Sequence, residues 1–455
     1  MFSEEAISPI DGRYRSKISE LAPFFSEAGL FKYRIIVEGE YLIALSENTK
    51  VGLREFSDAE KNIIRSLYEP SMREIKAIKK IEATTNHDVK SVEYFLKEKL
   101  KKTSLKDCLE WTHFALTSED TNNLAYAMML SLGVKDVILP SLERLNQEIG
   151  KIALENKSLA MLARTHGQSA SPTTMGKELK IYNARLKRQL EELGKYRIMA
   201  KLNGATGNYN AHFAAYPKVK WEKFSVSFIN QLNKLYKINL EPNLITAQIE
   251  PHDTYAELFD ILRQINVIII DFDQDVWRYI SDGWIKQRAI KGEVGSSTMP
   301  HKINPIDFEN SEGNLGMANA LFTYFSNKLP ISRLQRDLSD STVERNFGTA
   351  FAYSLLAYKS TLKGLGKIAI NSEKITADLN SHPEILAELI QIIFRTEGIK
   401  MPYEKLKDLT RGKEMTKEKI DLFVEGLSID KEIKKKLKDI SPADYIGIAE
   451  SLVEL

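Results

Sequence analysis

The 455-residue sequence contains a single cysteine, Cys108. One thiol cannot form an internal disulfide or supply a multi-cysteine metal site, so both are excluded. No uninterrupted apolar run approaches the ~20 residues that a membrane-spanning helix needs. The N-terminal segment is acidic and lacks an apolar core. It is therefore not expected to be a signal peptide, and the cytoplasm is the expected location.

An excess of charge of either sign is also lacking. The chain carries 64 basic and 62 acidic side chains, for a net charge of +2. Non-specific nucleic-acid binding relies on a strongly basic face, so this balance argues against it, although a local cluster could still bind one small anion. With 43% hydrophobic and 28% charged residues, the composition is that of an ordinary soluble globular protein.

Several common cofactor and catalytic motifs are absent. The sequence has no G-x-x-x-x-G-K-[ST], no G-x-G-x-x-G and no H-E-x-x-H. These absences argue against a P-loop, a dinucleotide-binding turn and a zinc-protease site. The G-x-S-x-G elbow of many serine hydrolases is missing as well. Any catalysis must therefore rest on other residues.

A helical period dominates what is present. From Tyr255 to Ile280, apolar residues recur at three- and four-residue steps, which predicts one long helix. Similar patterns predict helices over 108–132, 138–162, 174–200, 307–328 and 342–366, while alternating, strand-like stretches are scarce. We therefore expect an all-α fold with a central bundle of long helices. Much of the apolar stripe on the 255–280 helix is expected to face partner subunits in a tetramer, because it exceeds what one thin bundle would bury.

The same pattern divides the chain into three segments. Short helices are predicted over 1–110, the long-helix bundle over 111–365, and short lysine-rich helical pieces over 366–455. No proline-, glycine- or serine-rich linker marks the boundaries between them.

The loop GSSTMPHKINP at 295–305 is the most informative stretch of the chain. Ser296 and Ser297 follow a glycine, and Lys302 and Asn304 lie between two prolines. Glycine gives the backbone unusual freedom and proline stiffens the far end, which suggests a mobile lid with a nucleophile or base and a carboxylate clamp. Gly-Ser-Ser alone is also common linker chemistry. The complete string favours the functional interpretation.

Two other polar strings carry histidines. RTHGQS at 164–169 places His166 in a loop before a helix, where an exposed imidazole could transfer protons; a structural histidine is the alternative. TTNHD at 84–88 places Asn86, His87 and Asp88 at a helix start, where such residues also act as ordinary caps. The residues alone slightly favour a functional role for His166 and a capping role for 86–88.

Three further strings are polar without a clear role. Thr117 and Ser118 are predicted in mid-helix, where hydroxyls often bond their own backbone carbonyls. QIEPHD at 248–253 is typical of a helix start. The stretch 333–346 contains three arginines and three hydroxyl residues. This composition suits a phosphate or carboxylate site as well as a solvated charged face.

Taken together, these strings resemble the adenylosuccinate lyase branch of the fumarase/aspartase superfamily. GSSTMPHKINP is similar to the superfamily's signature loop, and RTHGQ, NHDVKSVEYF and TSED are similar to its other blocks. SPIDGRY at 8–14 and LQRDLSDSTVERN at 334–346 resemble the adenylosuccinate branch. The resemblance covers essentially the whole chain. One departure is Ser169, where the family usually has proline, and it is expected to change loop stiffness and not chemistry.

The resemblance implies an architecture and a reaction. The architecture is a three-domain fold whose central bundle forms the core of a homotetramer, with each active site shared by three subunits. The reaction is a β-elimination of fumarate from adenylosuccinate, giving AMP, and from the succinyl-aminoimidazole-carboxamide ribotide of purine biosynthesis. It requires no metal or organic cofactor.

Residue roles are implied by the same resemblance. Ser296 would be the base, His166 the general acid and Glu309 the carboxylate that pairs with His166. A serine is a poor base unless its alkoxide is stabilised, which the turn at Gly295 and Lys302 could provide. The residues implied in substrate binding are Arg13, Tyr14, Asn86, His87, Asp88, Thr117, Ser118, Gln248, Ser297, Lys302, Ile303, Asn304, Asn310, Arg336, Ser341, Thr342, Val343, Glu344 and Arg345.

Two alternatives stay open. Another fumarate-releasing lyase of the superfamily, such as argininosuccinate lyase or fumarase, would share the signature loop, but only a phosphorylated substrate requires the arginines between 333 and 345. A non-catalytic helical scaffold of the same fold would have no need to keep Ser296, His166, Lys302 and Glu309 together.

Overall fold

The computed structural model describes residues 3–290, 292, 298–299, 301–398 and 416–455. In this part of the chain the α-helices are α1 (Ala22–Phe25), α2 (Glu27–Ser46), α3 (Asp58–Arg65), α4 (Met72–Thr85), α5 (Asp88–Leu100), α6 (Ser118–Gly133), α7 (Leu139–Glu155), α8 (Met175–Lys195), α9 (Asn210–Ala215), α10 (Trp221–Tyr236), α11 (Asp253–Ser281), α12 (Ile306–Lys328), α13 (Ser339–Glu344), α14 (Phe347–Leu365), α15 (Ser372–Asn380), α16 (Leu386–Thr396), α17 (Lys417–Glu425), α18 (Lys431–Asp439) and α19 (Ala449–Leu452). The long helices lie close to where the apolar period predicts them.

Short strands accompany the helices. They are β1 (Ala160–Thr165), β2 (Gln168–Thr174), β3 (Ile198–Ala200), β4 (Leu240–Pro242), β5 (Ile285–Gln287) and β6 (Ile368–Ile370). The pairs β1–β2 and β5–β6 are antiparallel, and β3–β4 is parallel. None of them is predicted from the sequence, because most are three residues long, too short for an alternating pattern to be visible.

The chain divides into two compact units. Unit 1 comprises Met1–Glu143, Gln189–Val267 and Gly313–Tyr358, and unit 2 comprises Arg144–Arg188, Ile268–Glu312 and Lys359–Leu455. Each unit collects segments that are distant in sequence. The division of the sequence at residues 110 and 365 stays a prediction.

Helix α2 is the central helix of unit 1. It begins where the hydroxyl of Ser26 accepts the N–H of Gly29 at 3.1 Å, an N-cap that satisfies one end group of the helix. Nearly all of its residues are buried, including the charged Arg34, Glu38 and Glu40. A helix buried on all sides needs partners for such charges, and Arg34 has its partners among the candidate site residues described below.

The core of unit 1 also contains a group of phenylalanines. The rings of Phe259, Phe322, Phe325, Phe347 and Phe351 contact one another with centroid separations between 5.0 and 6.5 Å. Stacked and edge-on ring pairs at these distances add to the free energy gained by burying the rings.

The expectation that the apolar stripe of α11 faces partner subunits is wrong. From Tyr255 through Phe259 and Phe272 to Val276, its residues are at most 1% exposed within the single chain. The error came from judging the stripe without the helices that pack on it. Exposed apolar residues of α11 lie elsewhere on its surface, at Val267 and Trp277.

Unit 2 contains the hairpin of β1 and β2 and the C-terminal helices. The hairpin is anchored through Leu162, which is fully buried with Leu379 and Ile385. A second core, made of Ile390, Phe394, Ile420, Val424 and Leu437, joins α16, α17 and α18.

Among the described residues, one helical run is long and apolar enough to cross a membrane. It extends over Ser118–Glu155 and includes α6, a π-helical turn at Val134–Ile138 and α7. Its most apolar window has a mean hydropathy of 1.3 and is 67% buried inside the protein. Such burial is the behaviour of a core helix in a globular protein, for which the same length and composition are common.

Candidate active site

The structure sorts the candidate residues into the two units. Unit 1 contains Arg13, Tyr14, Asn86–Asp88, Thr117, Ser118, Gln248, Arg336 and Ser341–Arg345, and unit 2 contains His166, Lys302–Asn304, Glu309 and Asn310. Ser296 and Ser297 lie outside the described residues. The geometry of the remaining candidates can be followed within each unit.

Asn86, His87 and Asp88 form the turn between α4 and α5. Asn86 ends α4 in the left-handed conformation, with φ 51°, which asparagine tolerates better than most residues. His87 is the N-cap of α5, because its Nδ1 accepts the N–H of Lys90 at 3.2 Å. An accepting Nδ1 places the proton of the neutral ring on Nε2, which lies 3.4 Å from the Ser118 hydroxyl. The hydrogen bond at Nδ1 therefore also orients Nε2 toward the Ser118 hydroxyl.

Asp88 is held by two arginines. Its Oδ2 lies 2.7 Å from the buried guanidinium of Arg34 and 3.0 Å from that of Arg345. Burial raises the pKa of Asp88, but Arg34, the N–H of Val89 and Arg345 outweigh it and lower the pKa to about 2. Asp88 is therefore ionised throughout the physiological range and fixes the position of Arg345, whose side chain is 46% exposed.

Thr117 and Ser118 lie at the start of α6, so the prediction that they are in mid-helix is wrong. Thr117 is the N-cap, and its N–H donates to Oδ2 of Asp120 at 2.9 Å. Two residues just before it, His113 and Ala115, have φ values of 61° and 59° and cannot continue a helix. The hydroxyls therefore stand at a helix N-terminus, where backbone N–H groups are available to an anion.

Arg336 is a mostly buried hub. Its Nη2 lies 2.8 Å from the Glu119 carboxylate and 3.2 Å from the Ser341 hydroxyl. Its Nη1 donates to Oε1 of Gln248 at 3.3 Å. The side chain is only 14% exposed. Its guanidinium therefore fixes two other candidates, Gln248 and Ser341, and has little surface left to meet a ligand.

Three carboxyl groups are buried close to Arg336. They belong to Glu119, Asp340 and Glu344. Burial raises the pKa of Glu119 to about 7, with Arg336 opposing and Asp340 adding to the shift. Burial also raises the pKa of Glu344 well above its ordinary value, while it lowers the pKa of the neighbouring His252 to about 4. Glu344 and His252 lie 3.5 Å apart, and burial favours the neutral form of each side chain.

We refer to Asp88, Glu119, Arg336, Asp340, Glu344 and Arg345 as the ion-pair cluster. It joins strings of sequence that are more than 250 residues apart, as in the contact between Asp88 and Arg345. The two other predicted binding residues on α13 differ in exposure: Val343 is buried and Thr342 is exposed.

Two cavities open beside Arg345. One, of about 340 Å³, is also lined by the N-terminal residues Ile10, Asp11 and Arg15. The other, of about 240 Å³, is lined by Ser26, Glu27 and Tyr126 among others. In the N-terminal segment the guanidinium of Arg13 is exposed and lies 5.9 Å from the ring centroid of Tyr14. The larger cavity at Arg345 is thus lined by residues on either side of the predicted Arg13 and Tyr14.

In unit 2, His166 lies at the tip of the β1–β2 hairpin. Thr165 pairs with Gln168, and the two residues between them, His166 and Gly167, have φ values of 52° and 74°. Positive φ at both central residues is the requirement of a type I′ hairpin turn. The imidazole is exposed. The sequence predicts a loop here, and the structure shows a tight two-residue turn.

Lys302, Ile303 and Asn304 lead into α12. Lys302 and Ile303 are exposed and Asn304 is half-buried. The backbone is held in place by the N–H of Lys302, which donates to Met299 O at 3.0 Å, and by Ile303 O, which accepts from Gln287 at 2.8 Å. The Lys302 ammonium is thus presented to solvent from a fixed backbone.

Glu309 and Asn310 lie in the first turns of α12. Glu309 is exposed and accepts a hydrogen bond from the Trp277 indole at 3.0 Å, and Asn310 accepts one from Ser360 at 3.2 Å. Among the described residues of this chain, no hydrogen bond joins Glu309 to His166. Their predicted pairing is not formed within one chain.

Several residues of the site were missed by the sequence analysis. Arg34 and Asn122 bond each other at 2.9 Å behind Asp88, and His252 and Lys201 are fully buried near Glu344 and Asp120 respectively. The available signal was a charge or imidazole in an otherwise apolar stretch, as at Arg34 in the apolar run of α2. Such a residue must find a buried partner.

Comparison with protein families and known proteins gives consistent matches. A family model described as lyase matches residues 12–319, and one described as adenylosuccinate lyase C-terminal matches residues 332–446. Proteins named adenylosuccinate lyase from Vibrio cholerae and Haemophilus influenzae are each 50% identical to this chain over 452 residues. The protein of that name from Escherichia coli is 48% identical over 452 residues. Each of these alignments covers 99% of this chain and 98% of the relative.

Solved structures match over nearly the full length. A 3-carboxy-cis,cis-muconate lactonizing enzyme from Pseudomonas putida has a TM-score of 0.76 at 18% identity, with 97% of both chains covered. A fumarate lyase from Mesorhizobium sp. BNC1 has a TM-score of 0.74 at 15% identity, with 96% of both chains covered. At these identities the likeness concerns the fold alone.

Proposed function

The chain belongs to the adenylosuccinate lyase family, and on that premise we propose how its residues release fumarate from adenylosuccinate and from the succinyl-aminoimidazole-carboxamide ribotide. It is a carbon–nitrogen lyase of purine biosynthesis with the all-α fold of the fumarase/aspartase type. One observation carries the assignment of the substrate site: strings far apart in sequence meet in the ion-pair cluster of unit 1, beside Ser118, Gln248 and the cavities at Arg345.

The chemistry requires two proton transfers. Ser296, as the base, removes a proton from the succinyl carbon next to a carboxylate, and the electron pair left behind forms the double bond of fumarate as the C–N bond breaks. His166, as the general acid, gives a proton to the leaving nitrogen, so that AMP or the aminoimidazole-carboxamide ribotide departs neutral at that atom. The exposed imidazole at a rigid turn suits this role.

Fixed charges stabilise the intermediate. Removal of the carbon-bound proton places negative charge next to a carboxylate, so a cation held in place lowers the barrier. Lys302 and Asn304 are assigned to this carboxylate, with Thr117 and Ser118 at the N-terminus of α6. Glu309 is assigned to His166, because a carboxylate beside an imidazole favours its protonated form.

The nucleotide is assigned to unit 1. Arg345 is the exposed cation of the ion-pair cluster, and it lines both cavities there. Arg13 and Tyr14 would meet the phosphate from the N-terminal segment, and Gln248 and Ser341 are held in place for the substrate by Arg336. Arginine side chains bind phosphate through paired hydrogen bonds.

We further propose a cytoplasmic homotetramer with active sites built from three subunits. An exposed stripe on α12 supports it: Gly313, Gly316, Met317, Ala320 and Tyr324 follow a helical period. A Cβ added at Gly313 or Gly316 would meet only open space, so nothing in the described part of the chain explains these mid-helix glycines. Each costs a helix roughly 0.5–1 kcal/mol relative to alanine, and close approach of a second helix would offset that cost.

The activity is tested directly. Purified protein is incubated with adenylosuccinate while fumarate and AMP are measured, with argininosuccinate and malate as controls. We expect fumarate and AMP in equal amounts from adenylosuccinate and no reaction of the controls. Fumarate from argininosuccinate, or none from adenylosuccinate, would overturn the assignment.

Shared active sites are tested by mixing two inactive variants. Ser296→Ala and His166→Ala proteins are each prepared, dissociated together and reassembled. If one site draws these residues from different chains, some mixed tetramers contain an intact site, and activity returns. Activity that stays at the level of the separate variants would place both residues of a site on one chain.

A further inference from the structure

Lys201 and Asp120 are a fully buried ion pair in unit 1. Both side chains are 0% exposed, and Lys201 Nζ lies 3.2 Å from Asp120 Oδ1. A lysine ammonium has three N–H groups, and burial is unfavourable unless all of them are used. The other two acceptors are the carbonyl oxygens of Gly204, at 2.9 Å, and Gln248, at 2.6 Å. The ammonium is therefore held by two hydrogen bonds and one ion pair.

The carboxylate of Asp120 is equally well satisfied. Its Oδ1 accepts the N–H groups of Asn203 at 3.0 Å and Gly204 at 3.2 Å, besides the contact with Lys201. Its Oδ2 accepts the N–H of Thr117 at 2.9 Å. Three hydrogen bonds and one ion pair thus converge on one side chain in the first turn of α6.

The adjacent residue shows that this arrangement is specific. Glu119 is just as deeply buried, yet both of its carboxylate oxygens lack a well-formed hydrogen bond among the described residues. Asp120 has four partners, whereas the ion pair described for Glu119 is the one with Arg336. The carboxylate of Asp120 has several partners and that of its neighbour Glu119 has few in the described part of the chain. This difference indicates that the contacts of Asp120 and Lys201 maintain a defined geometry.

The pair joins the two segments that carry Thr117, Ser118 and Gln248. Asp120 fixes the backbone at Thr117, and Lys201 fixes the backbone at Gln248. Gln248 is further held by its side-chain N–H, which donates to Ala205 O at 3.1 Å. Two segments separated by about 130 residues are thus tied to one buried pair of charges.

We propose that Lys201 and Asp120 are a positioning pair, which sets Thr117 and Ser118 in place relative to Gln248 before the substrate arrives. This inference rests on the proposed substrate roles of those three residues. Neither charge touches the substrate; each acts through the backbone that it holds. A site assembled in advance does not lose binding free energy to ordering its loops, so the pair contributes to the affinity for the substrate.

Kinetics of isosteric variants test the pair. Lys201→Met removes the ammonium, Asp120→Asn removes the carboxylate charge, and the double variant removes both, so that no unpaired charge stays buried. We expect KM for adenylosuccinate to rise about 10-fold or more in Lys201→Met and in the double variant, because misplaced contacts weaken binding steeply. Lys218→Met, at an exposed lysine, is the matched control and should leave KM and kcat unchanged.

The split between KM and kcat separates positioning from mere folding. A variant that only folds less well contains fewer active molecules, so its kcat falls while KM stays the same. An unchanged KM in the folded double variant would overturn the proposal. Absence of fumarate from the wild-type protein would instead contradict the proposed function, so the two failures are distinguishable.

A measurement on the wild-type protein covers the case in which no variant folds. Amide hydrogen exchange is followed with and without AMP. The amides of Thr117, Asn203 and Gly204, which all donate to Asp120, should be protected already in the free protein. Fast exchange at these amides without AMP, with protection appearing only when it binds, would show that the pair does not set the site in advance.

Discussion

The ion-pair cluster of unit 1 and the hairpin tip of unit 2 differ in how far one chain completes them. In the cluster, Arg336 and Asp88 have several partners from the same chain, and the side chains of Glu119, Asp340 and Glu344 are buried. At the hairpin tip, His166 is exposed, and the contact expected with Glu309 is not made within the chain. The proposed binding half is assembled by folding, while the proposed catalytic half is presented to its surroundings.

This difference has a physical reason. Groups that bind the nucleotide contribute more to the affinity when they are already in place before it binds. Buried charges keep their geometry only when they have partners inside the protein. A general acid must reach the leaving nitrogen and exchange protons with water, which requires access. The comparison predicts that substitutions in the two regions will affect different measurements.

The largest effect is expected on the reaction rate. Ser296→Ala and a His166 substitution should each lower kcat at least ~10²-fold, as loss of an acid or base does. His166→Asn is preferred to alanine, because asparagine tolerates the left-handed backbone of the turn. Thermal unfolding should hardly change, since the imidazole is exposed. A variant within a few-fold of wild type would remove that residue from the mechanism.

The next effect distinguishes the buried and exposed arginines of the cluster. Arg336→Ala should lower the free energy of unfolding by about 3–5 kcal/mol, because it leaves buried carboxyl groups without their cation. Arg345→Ala should lower it by less than about 1 kcal/mol, as at exposed ion pairs, while raising KM for adenylosuccinate. Urea unfolding at neutral pH provides the first measurement. Equal losses of stability would contradict the distinction.

A smaller and pH-dependent effect is expected at Asp88. Its folded pKa of about 2 lies below the ordinary value, so its ionised form stabilises the folded state above that ordinary value, and the gain is lost as pH falls toward 2. Asp88→Asn should therefore cost about 2–3 kcal/mol at pH 7 and progressively less below pH 5. Unfolding curves of both proteins between pH 7 and pH 3 give the difference. A difference independent of pH would assign the loss to packing.

The smallest effect is expected at Trp277. Trp277→Phe removes the described hydrogen bond to Glu309 at the surface, and should cost less than about 1 kcal/mol and change kcat only a few-fold. This expectation follows if Glu309 is oriented mainly by contacts outside its own chain. A loss of kcat near that of the His166 variant would show that one chain positions Glu309 by itself, and the contrast between the two regions would weaken.

The long helices could be predicted from the sequence, because a buried stripe repeats over many turns. Helix α11 is predicted over 255–280 and extends over Asp253–Ser281. The start of α6 was predicted about ten residues too early. Apolar residues continue through 114–116, and nothing in their pattern shows that His113 and Ala115 adopt left-handed conformations. The hairpin at 160–174 was missed because its turn lacks the usual Asn-Gly signal.

The candidate site could be predicted only where it follows family motifs. Those motifs led to Asp88, Ser118 and Arg345, which the structure places in or beside one cluster. They did not lead to Arg34 or Lys201, whose importance depends on burial, and burial is a property of the packed chain. The motifs also assigned Arg336 to the phosphate, and its burial adds a stabilising role that no pattern of residues indicates. Its contact with the phosphate stays a prediction.

The buried pair of Lys201 and Asp120 has a consequence for the divergence of this protein. A single substitution that removes one charge leaves the other buried and unpaired, which is costlier than replacing both together. Neither position can therefore drift alone, and a lineage that loses the lysine must acquire a neutral partner at almost the same time. Among related sequences the two positions should change together or not at all. Such covariation is typical of residues in contact.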